Sequence, residues 1–448
     1  MRLGAIVLRG LTPLERKKAA LLFAWFFFTV ATLWLLKPVR VSSLLVHLGA
    51  AETPYVRLAG VVTVYFVVML YTWATDRLSR VGIVRWSSVL FAALLVIAWG
   101  ALQIWGSALG SLRPFVWAIY ILVEIYSVVM IGIFWTYAND VVTTEESNKL
   151  YGLVGVGGIL GGAAGGAFVD AFARQIGPEH LLLICAGLVV VSAALGSITE
   201  SATHPPARRV KPKREEGGFS AAMAGAREVK ASHYLMLIVG IVVAYEFTAT
   251  LTDFAISVVF EHTYRDEAML TKMYGRLGWI VSATALVCQT VLVPLLLPKK
   301  RVALSIPPFA MMVGAIGLMV APVVTLAMFL AAADRGLNYS VQQATKESLY
   351  VPLDDAQKYK SKAFIDMFID RAAKALAAFA LIAIILVAGE SVTVSLATAM
   401  ASMTIWLWSA WRLGGYWMIW NHDHGEHRPE PARAAPAAIP SEPHPAHS

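Results

Sequence analysis

The sequence predicts an all-α polytopic membrane protein, with about twelve transmembrane helices in two six-helix bundles. Three observations carry this. Of 448 residues, 58% are hydrophobic and only 15% charged, whereas a soluble domain carries about a quarter charged residues. Apolar runs near twenty residues in length recur along the whole chain, each long enough to span a bilayer core of about 30 Å. One long polar, basic stretch divides those runs into two sets of six. Lipid offers the backbone no hydrogen-bond partners, so each run must be helical.

The first span, 19–36, follows Arg16, Lys17 and Lys18 and ends in Lys37-Pro38-Val39-Arg40. It is longer than a secretory signal core and lacks a small-residue cleavage site, so it reads as a retained helix. Spans two to six are expected at 54–75, 82–105, 114–137, 150–172 and 180–198. Spans seven to twelve are expected at 233–259, 275–297, 303–320, 323–345, 363–388 and 392–412. The ninth is short and holds Pro307 and Pro308, so the pair 303–345 fits the pattern least well. The resulting organisation is an N-terminal tail (1–18), an N-terminal bundle (19–199), a basic linker (200–232), a C-terminal bundle (233–414) and a disordered tail (415–448).

Lys and Arg are retained on the cytoplasmic side of a membrane protein. With the N-terminus inside, 26 of the 37 fall on the cytoplasmic face and eight on the other, with Arg335, Arg371 and Lys374 within spans. Both termini are therefore expected in the cytoplasm, and the chain in the plasma (inner) membrane. The linker His204–Lys230 is Pro-rich and basic, a flexible join that also suits anionic lipid. Its charge already satisfies the positive-inside pattern, which argues against nucleic acid as a partner. The Pro/Ala-rich tail contains His422, Asp423, His424, Glu426 and His427. Such a tract is more often a solubilising tail than a metal site, so no metal is expected. Cys185 and Cys288 lack metal-ligand spacing and read as small core residues. No cofactor is implied, and nothing points to an enzyme.

Six plus six spans around a linker suggests the major facilitator layout, two bundles rocking about a midplane site. Asp76-Arg77-Leu78-Ser79-Arg80, after span two, resembles the D-R-x-x-R core of that superfamily's cytoplasmic motif. Such charges latch one helix end to another and bias which side is open, although charge is expected in that loop in any case. A second repetition pairs the loop Asn139-Asp140…Thr144-Glu145-Glu146…Lys149-Leu150-Tyr151 with Lys346-Glu347…Asp354-Asp355…Lys358-Tyr359-Lys360. Both place acids before a Lys-plus-Tyr segment, as opposed loops of pseudo-symmetric halves would. Span five is crowded with glycine (Gly152, Gly155, Gly157, Gly158, Gly161, Gly162, Gly165, Gly166) but lacks the third glycine of a dinucleotide fingerprint, since position 160 is Leu160. Close helix packing is the expected role. No phosphate-loop motif occurs in the chain, which disfavours ATP-driven transport.

Ionisable residues at membrane depth are costly and are functional candidates by default. Lys37 and Arg40 end span one and Arg57 enters span two; Glu124 lies in four, Glu246 and Asp253 in seven, Asp334 and Arg335 in ten. Span eleven carries Asp366, Asp370, Arg371 and Lys374. Ion pairs that hold helices in register are the plain alternative for any one of them. Together, several cations in a helical cavity suit an anionic solute better than a sugar. Trp25, Trp34, Tyr120, Trp135, Tyr137 and Tyr245 are of a type that stacks on a planar base, though such residues more often form the core or interface belts.

Two long segments, FWTYANDVVTTEESNKLYGLVGVGG (134–158) and NYSVQQATKESLYVPLDDAQKYKSKAFID (338–366), resemble the ATP/ADP translocase family. Its members exchange nucleotides in plastids and intracellular bacteria. Glu124, Phe134-Trp135, Ala138-Asn139 and Thr144-Glu145-Glu146…Lys149…Tyr151 match the family's span-four acid and the loop after it. Lys346-Glu347, Tyr350, Pro352-Leu353-Asp354, Lys358, Lys360, Lys362 and Ile365-Asp366 match its late loop. Lys37 and Arg40 look like the basic end of its first span, and Tyr245-Glu246-Phe247-Thr248 like an acidic element in span seven. One departure stands out: the family's exchangers carry a Lys four residues after the span-seven acid, where this chain has Thr250.

The resemblance implies a secondary transporter that moves an anionic, nucleotide-like solute by alternating access. Phosphate contacts are expected from Lys37, Arg40, Arg335, Lys346 and Arg371. Coupling or gating is expected from Glu124, Asn139, Glu246, Glu347 and Asp366, with Asp76, Arg77 and Arg80 as a cytoplasmic latch. The alternatives are a proton-coupled carrier of another organic anion and a non-transporting membrane scaffold or sensor.

Overall fold

A computed structural model of the chain describes residues 12–75, 77–203, 219–350, 353, 361–362 and 364–425. Asp76, most of the linker, Asp354, Asp355, Lys358, Lys360, Glu426 and His427 lie outside the described residues. The N-terminal half is built from α1 (Pro13–His47), α2 (Thr53–Thr75), α3 (Arg80–Gly110), α4 (Arg113–Val141), α5 (Thr144–Ile176) and α6 (Pro178–Thr203). A short helix, α7 (Phe219–Ala231), leads into α8 (His233–Thr263) and α9 (Glu267–Val287), which continues through a π turn into α10 (Val293–Leu296). Then follow α11 (Lys300–Val320), α12 (Val324–Leu337), a π turn at Asn338–Gln342 and α13 (Gln343–Leu349). A further π turn at Ile365–Ile369 opens α14 (Asp370–Ala388), and α15 (Val392–Gly425) ends the described chain.

Eleven spans among the described residues are long and apolar enough to cross a membrane. The remaining crossing is α12 to α13, broken by its π turn and charged at Asp334 and Arg335, so no helix within it is long enough alone. With it, each half has six crossings. The Pro307–Pro308 pair is accommodated inside α11 without ending it. Most helices extend a few residues beyond the expected spans, span eight by eight residues at its start (Glu267), and three boundaries have a visible local cause. The first helix begins at Pro13, because Thr12 and Glu15 form a capping box: the Glu15 amide donates to Thr12 Oγ1 at 3.2 Å and the Thr12 amide to Glu15 Oε2 at 2.6 Å. The end of the linker is helical as α7, anchored by the buried Val229. The last helix runs past residue 414 to Gly425, where Trp417 lies under the Lys300 ammonium (4.5 Å) and Tyr416 meets His233 edge-on.

Each half has its own apolar core. In the first, Trp25 packs edge-on against Phe134 (5.3 Å) and Tyr137 (5.0 Å); in the second, Tyr245 packs against Trp406 (5.4 Å). Large apolar residues such as Phe66, Trp86 and Ile97 remain more than 60% exposed, as lipid-facing surface requires. Six of the eight glycines of α5, from Gly157 to Gly166, do the packing expected of them, while Gly152 and Gly155 face open space. A Cβ at Gly161 would lie 2.3 Å from the Phe27 carbonyl oxygen of α1, and one at Gly166 would lie 2.6 Å from the Trp279 amide nitrogen of α9. The α5 helix therefore touches its own half on one side and the opposite half on the other, at backbone distance.

Polar contacts between the halves gather at the face away from the described chain ends. Gly49 has φ +85°, a value that suits glycine, and this turn aims the next amides at the other half. The Ala50 amide donates to Glu261 (2.8 Å) and the Ala51 amide to Glu390 (3.1 Å). Ser42 and Thr271 hydroxyls bond at 2.5 Å, and Asp170 of α5 accepts from Arg276 and from Trp279 Nε1 (3.0 Å) of α9. That face is closed.

Candidate functional site

A cavity with two adjoining lobes of about 320 and 380 Å³ lies between the halves. Both lobes share Arg40, Arg57, Tyr120 and Glu124 from the first half, and Asp253, Arg335, Tyr339 and Lys374 from the second. One lobe adds Tyr245, Glu246, Thr250, Asp334 and Arg371; the other adds Trp34, Lys37 and Tyr274. Six cations thus face four acids around a space of a size that suits a small-molecule ligand.

The charges are organised as pairs. Arg40 Nη1 meets Glu124 Oε1 at 2.5 Å while its guanidinium lies over the Tyr120 ring, 4.5 Å from the centroid. Arg57 reaches the Tyr120 hydroxyl at 3.5 Å and also bonds Asp253, across the boundary between halves. The other oxygen of Asp253 is bonded by Arg335. Lys374 sits 2.8 Å from Asp370, one helical turn earlier, and 3.7 Å from Glu246. The Lys37 ammonium lies 4.6 Å over the Trp34 ring. The π turn starting at Asn338 has one residue more per turn than an α-helix and holds Tyr339, whose ring lines both lobes with Arg335. Asp334 is 5% exposed, and its Oδ1 has no hydrogen-bond partner.

The structure brings Lys37, Arg40, Arg335, Arg371, Glu124 and Glu246 to the cavity together. It places the other described members of the expected set elsewhere. Among the described residues Lys346 does not line the cavity: it bonds Asp366 (3.2 Å) at the mouth of α14, and Glu347 is bonded by Lys362 and Gln343. Asn139 accepts from the Tyr151 hydroxyl at 2.6 Å, on the face that carries the described chain ends. There Arg80 pairs with Asp140 (3.3 Å), a latch between α3 and α4 within one half, while Arg77 stacks on Trp73 (4.0 Å). Each repeated loop lies beside an intra-half ion pair, but the pairs join different elements: Lys18 of α1 with Glu146 of α5 (2.8 Å) in the first half, and Lys346 of α13 with Asp366 in the turn before α14 in the second. Glu146 lies ahead of the span that starts at Lys149. Partial burial works to raise its carboxyl, but the bonds from Lys18 and from the Thr143 amide prevail and hold it below the usual carboxylate range.

The cavity also holds residues outside the expected binding and gating set, among them Arg57, Tyr120, Asp253 and Lys374, which line both lobes. Each carries a sequence signal, a charge or aromatic at membrane depth. For Lys374 the signal was the helical spacing that puts it one turn beyond Asp370.

A family model described as TLC ATP/ADP transporter matches residues 106–320 and 267–417, well over half of the chain. ADP,ATP carrier protein 1, chloroplastic, of Arabidopsis thaliana is 25% identical over 288 residues, 55% of this chain and 45% of that protein. The chain thus spans under half the length of that relative. ADP,ATP carrier protein 2 of Chlamydia pneumoniae is 22% identical over 437 residues, covering 80% of this chain and 81% of its own length. Among solved structures, a bacterial homologue of the iron transporter ferroportin in an inward-facing state aligns at a TM-score of 0.62, with 13% identity over 89% of this chain and 100% of that one. The nucleoside transporter NupG aligns at 0.59, with 12% identity over 91% and 99%. These likenesses show the fold, the major facilitator arrangement of two six-helix bundles.

Proposed function

Because the chain belongs to the TLC ATP/ADP transporter family, a family of carriers rather than enzymes, we propose that it exchanges a nucleotide-like anion across the membrane by alternating access. The observation that carries this reading is the cavity between the halves, where cations outnumber acids six to four and Trp34, Tyr120, Tyr245 and Tyr339 supply aromatic walls. Arg40, Arg57 and Arg335 have the forked donors that suit phosphate, and Lys37, Arg371 and Lys374 add charge. A planar base would stack on the aromatic side chains between them. In this reading the chain is a multi-pass protein of the inner membrane with both termini in the cytoplasm, because 26 of 37 Lys and Arg fall on that face. The closed face is then the outer one, and the latches at Arg80–Asp140 and Lys346–Asp366 lie inside. The N-terminal bundle (19–199) and C-terminal bundle (233–414) are the two rocking bodies, joined by the linker 200–232.

The test is uptake of labelled ATP and ADP into proteoliposomes, with and without internal ADP. Saturable uptake that needs internal nucleotide is expected. No saturable uptake of any nucleotide would sink the proposal. A second reading, a proton-coupled carrier of another organic anion, draws on Glu246 and Asp334, two buried acids at the cavity wall, the latter with an unpartnered oxygen. Uptake driven by a pH gradient and abolished in Glu246→Gln or Asp334→Asn would favour it.

A further inference from the structure

Asp253 uses both carboxylate oxygens on arginines from different halves, Arg57 of α2 and Arg335 of α12. Two guanidinium groups converging on one two-oxygen anion is the arrangement that binds a phosphate. Asp253 thus already holds the place that the charged end of an anionic solute would take, and its side chain is 20% accessible from the cavity. It also stands toward the closed face. It precedes the end of α8 at Thr263 by ten residues, about 15 Å along the axis, and Arg57 lies in the first turns of α2.

Opening the closed face must draw α2 away from α8 and so break the Arg57–Asp253 bond. With the cavity empty, that step leaves a part-buried guanidinium without its carboxylate, which is strongly unfavourable. An anion that takes over Arg57 and Arg335 removes the penalty, since both arginines keep a partner while Asp253 is released. We propose that Asp253 is a resident counter-anion that locks the empty carrier with one face closed and yields only to an anionic solute, which makes transport an exchange. This rests on the exchange reading above and adds to it the residue that enforces coupling. Arg335 and Asp253 belong to the same half, so their bond alone places no constraint between halves; Arg57 supplies the latch.

The experiment uses the full chain in two arms. In proteoliposomes, Asp253→Asn is expected to take up labelled ADP without internal ADP at a rate within about threefold of its exchange rate, whereas the parent protein drops by about tenfold or more. Asp253→Glu is expected to restore the dependence. Strict dependence on internal ADP in Asp253→Asn would overturn the proposal. The second arm needs no substrate: spin labels at Ser111→Cys and Arg265→Cys, exposed loop positions on the closed face of opposite halves, report the gap by pulsed electron resonance. Longer distances in Asp253→Asn and in Arg57→Gln are expected, and a distribution unchanged in both would overturn the latch. If the parent protein moves no nucleotide, the exchange reading fails, and the label distances still decide the latch.

Discussion

Gly166 offers the sharpest separation between stability and switching. It lies where α5 of one half meets α9 of the other, and a Cβ there would sit 2.6 Å from the Trp279 amide nitrogen and 2.9 Å from the Gly275 carbonyl oxygen. Both are backbone atoms and cannot rotate away. Ordinary contact begins near about 3.5 Å, so Gly166→Ala must part the two helices by roughly 1 Å. Overpacking of that kind costs about 1–3 kcal/mol. The cost falls on the state in which α5 and α9 are pressed together, the one with this face closed. A penalty confined to one of two states shifts their ratio by about 5- to 150-fold toward the other.

The assay is labelling of Ser257→Cys, a cavity position that is 5% exposed with the face closed, by a membrane-impermeant maleimide applied from that side. Gly166→Ala should label faster by at least about fivefold. Gly161→Ala is the matched control: its Cβ would lie 2.3 Å from the Phe27 carbonyl oxygen, but α1 and α5 belong to the same half. That change should lower thermal stability without raising the labelling rate. Equal labelling in Gly166→Ala and the parent, or an equal rise in both variants, would refute the reasoning.

Two further outcomes follow from single pairs. Lys374→Ala leaves Glu246, with its side chain only 10% accessible, beside Asp370 without their shared cation; the KM for an anionic solute should rise about 10-fold or more, Lys374→Arg should recover most of the loss, and an unchanged KM would remove Lys374 from the site. Glu146 has a depressed carboxyl pKa, so its bond to Lys18 contributes stability above the ordinary carboxylate range and loses it as pH falls through the depressed value. Glu146→Gln should therefore lower the melting temperature at neutral pH by the equivalent of about 1 kcal/mol, and the gap should close on acidification; a gap that widens as pH falls would contradict the sign.

The membrane spans were legible because hydropathy over twenty residues integrates many side chains and averages out local irregularity. The charged spans were legible as sites for the opposite reason, since each ion at that depth stands alone against the background. What the chain order conceals is the facing of each ion. Lys346 reads as a cation at the end of span ten and Lys374 as one within span eleven, yet one closes an ion pair with Asp366 and the other enters the cavity. The π turn at Ile365–Ile369 lies between them and the one at Asn338–Gln342 just before Lys346, and each shifts the helical phase by about one residue, or 100°. No residue type marks a π turn, so periodicity counted from either end loses phase across it. Asp253 was hidden differently. It was visible as a buried acid, but its role depends on Arg57, which lies 196 positions away in the other half.

Thr250 turns the same balance of charge into a statement about cargo. It lines the cavity at 7% exposure, one turn after Glu246 and one turn before Asp253 on α8. The exchangers that this chain resembles carry a Lys there. Six cations against four acids leave a formal excess of two in the cavity, less than the charge of a nucleoside triphosphate. A Lys at 250 would raise that excess and stand within reach of the terminal phosphate of a solute held by Arg57 and Arg335. Thr250→Lys is therefore expected to lower the KM for ATP more than that for ADP, by about 10-fold in the ratio, the worth of one charge-assisted hydrogen bond. Competition of each nucleotide against labelled uptake in the same proteoliposomes reads the ratio directly. If both affinities rise by the same factor, position 250 adds field but does not meet the terminal phosphate. If neither changes, the anionic end of the solute lies away from α8, on the Lys37 and Arg40 side of the cavity.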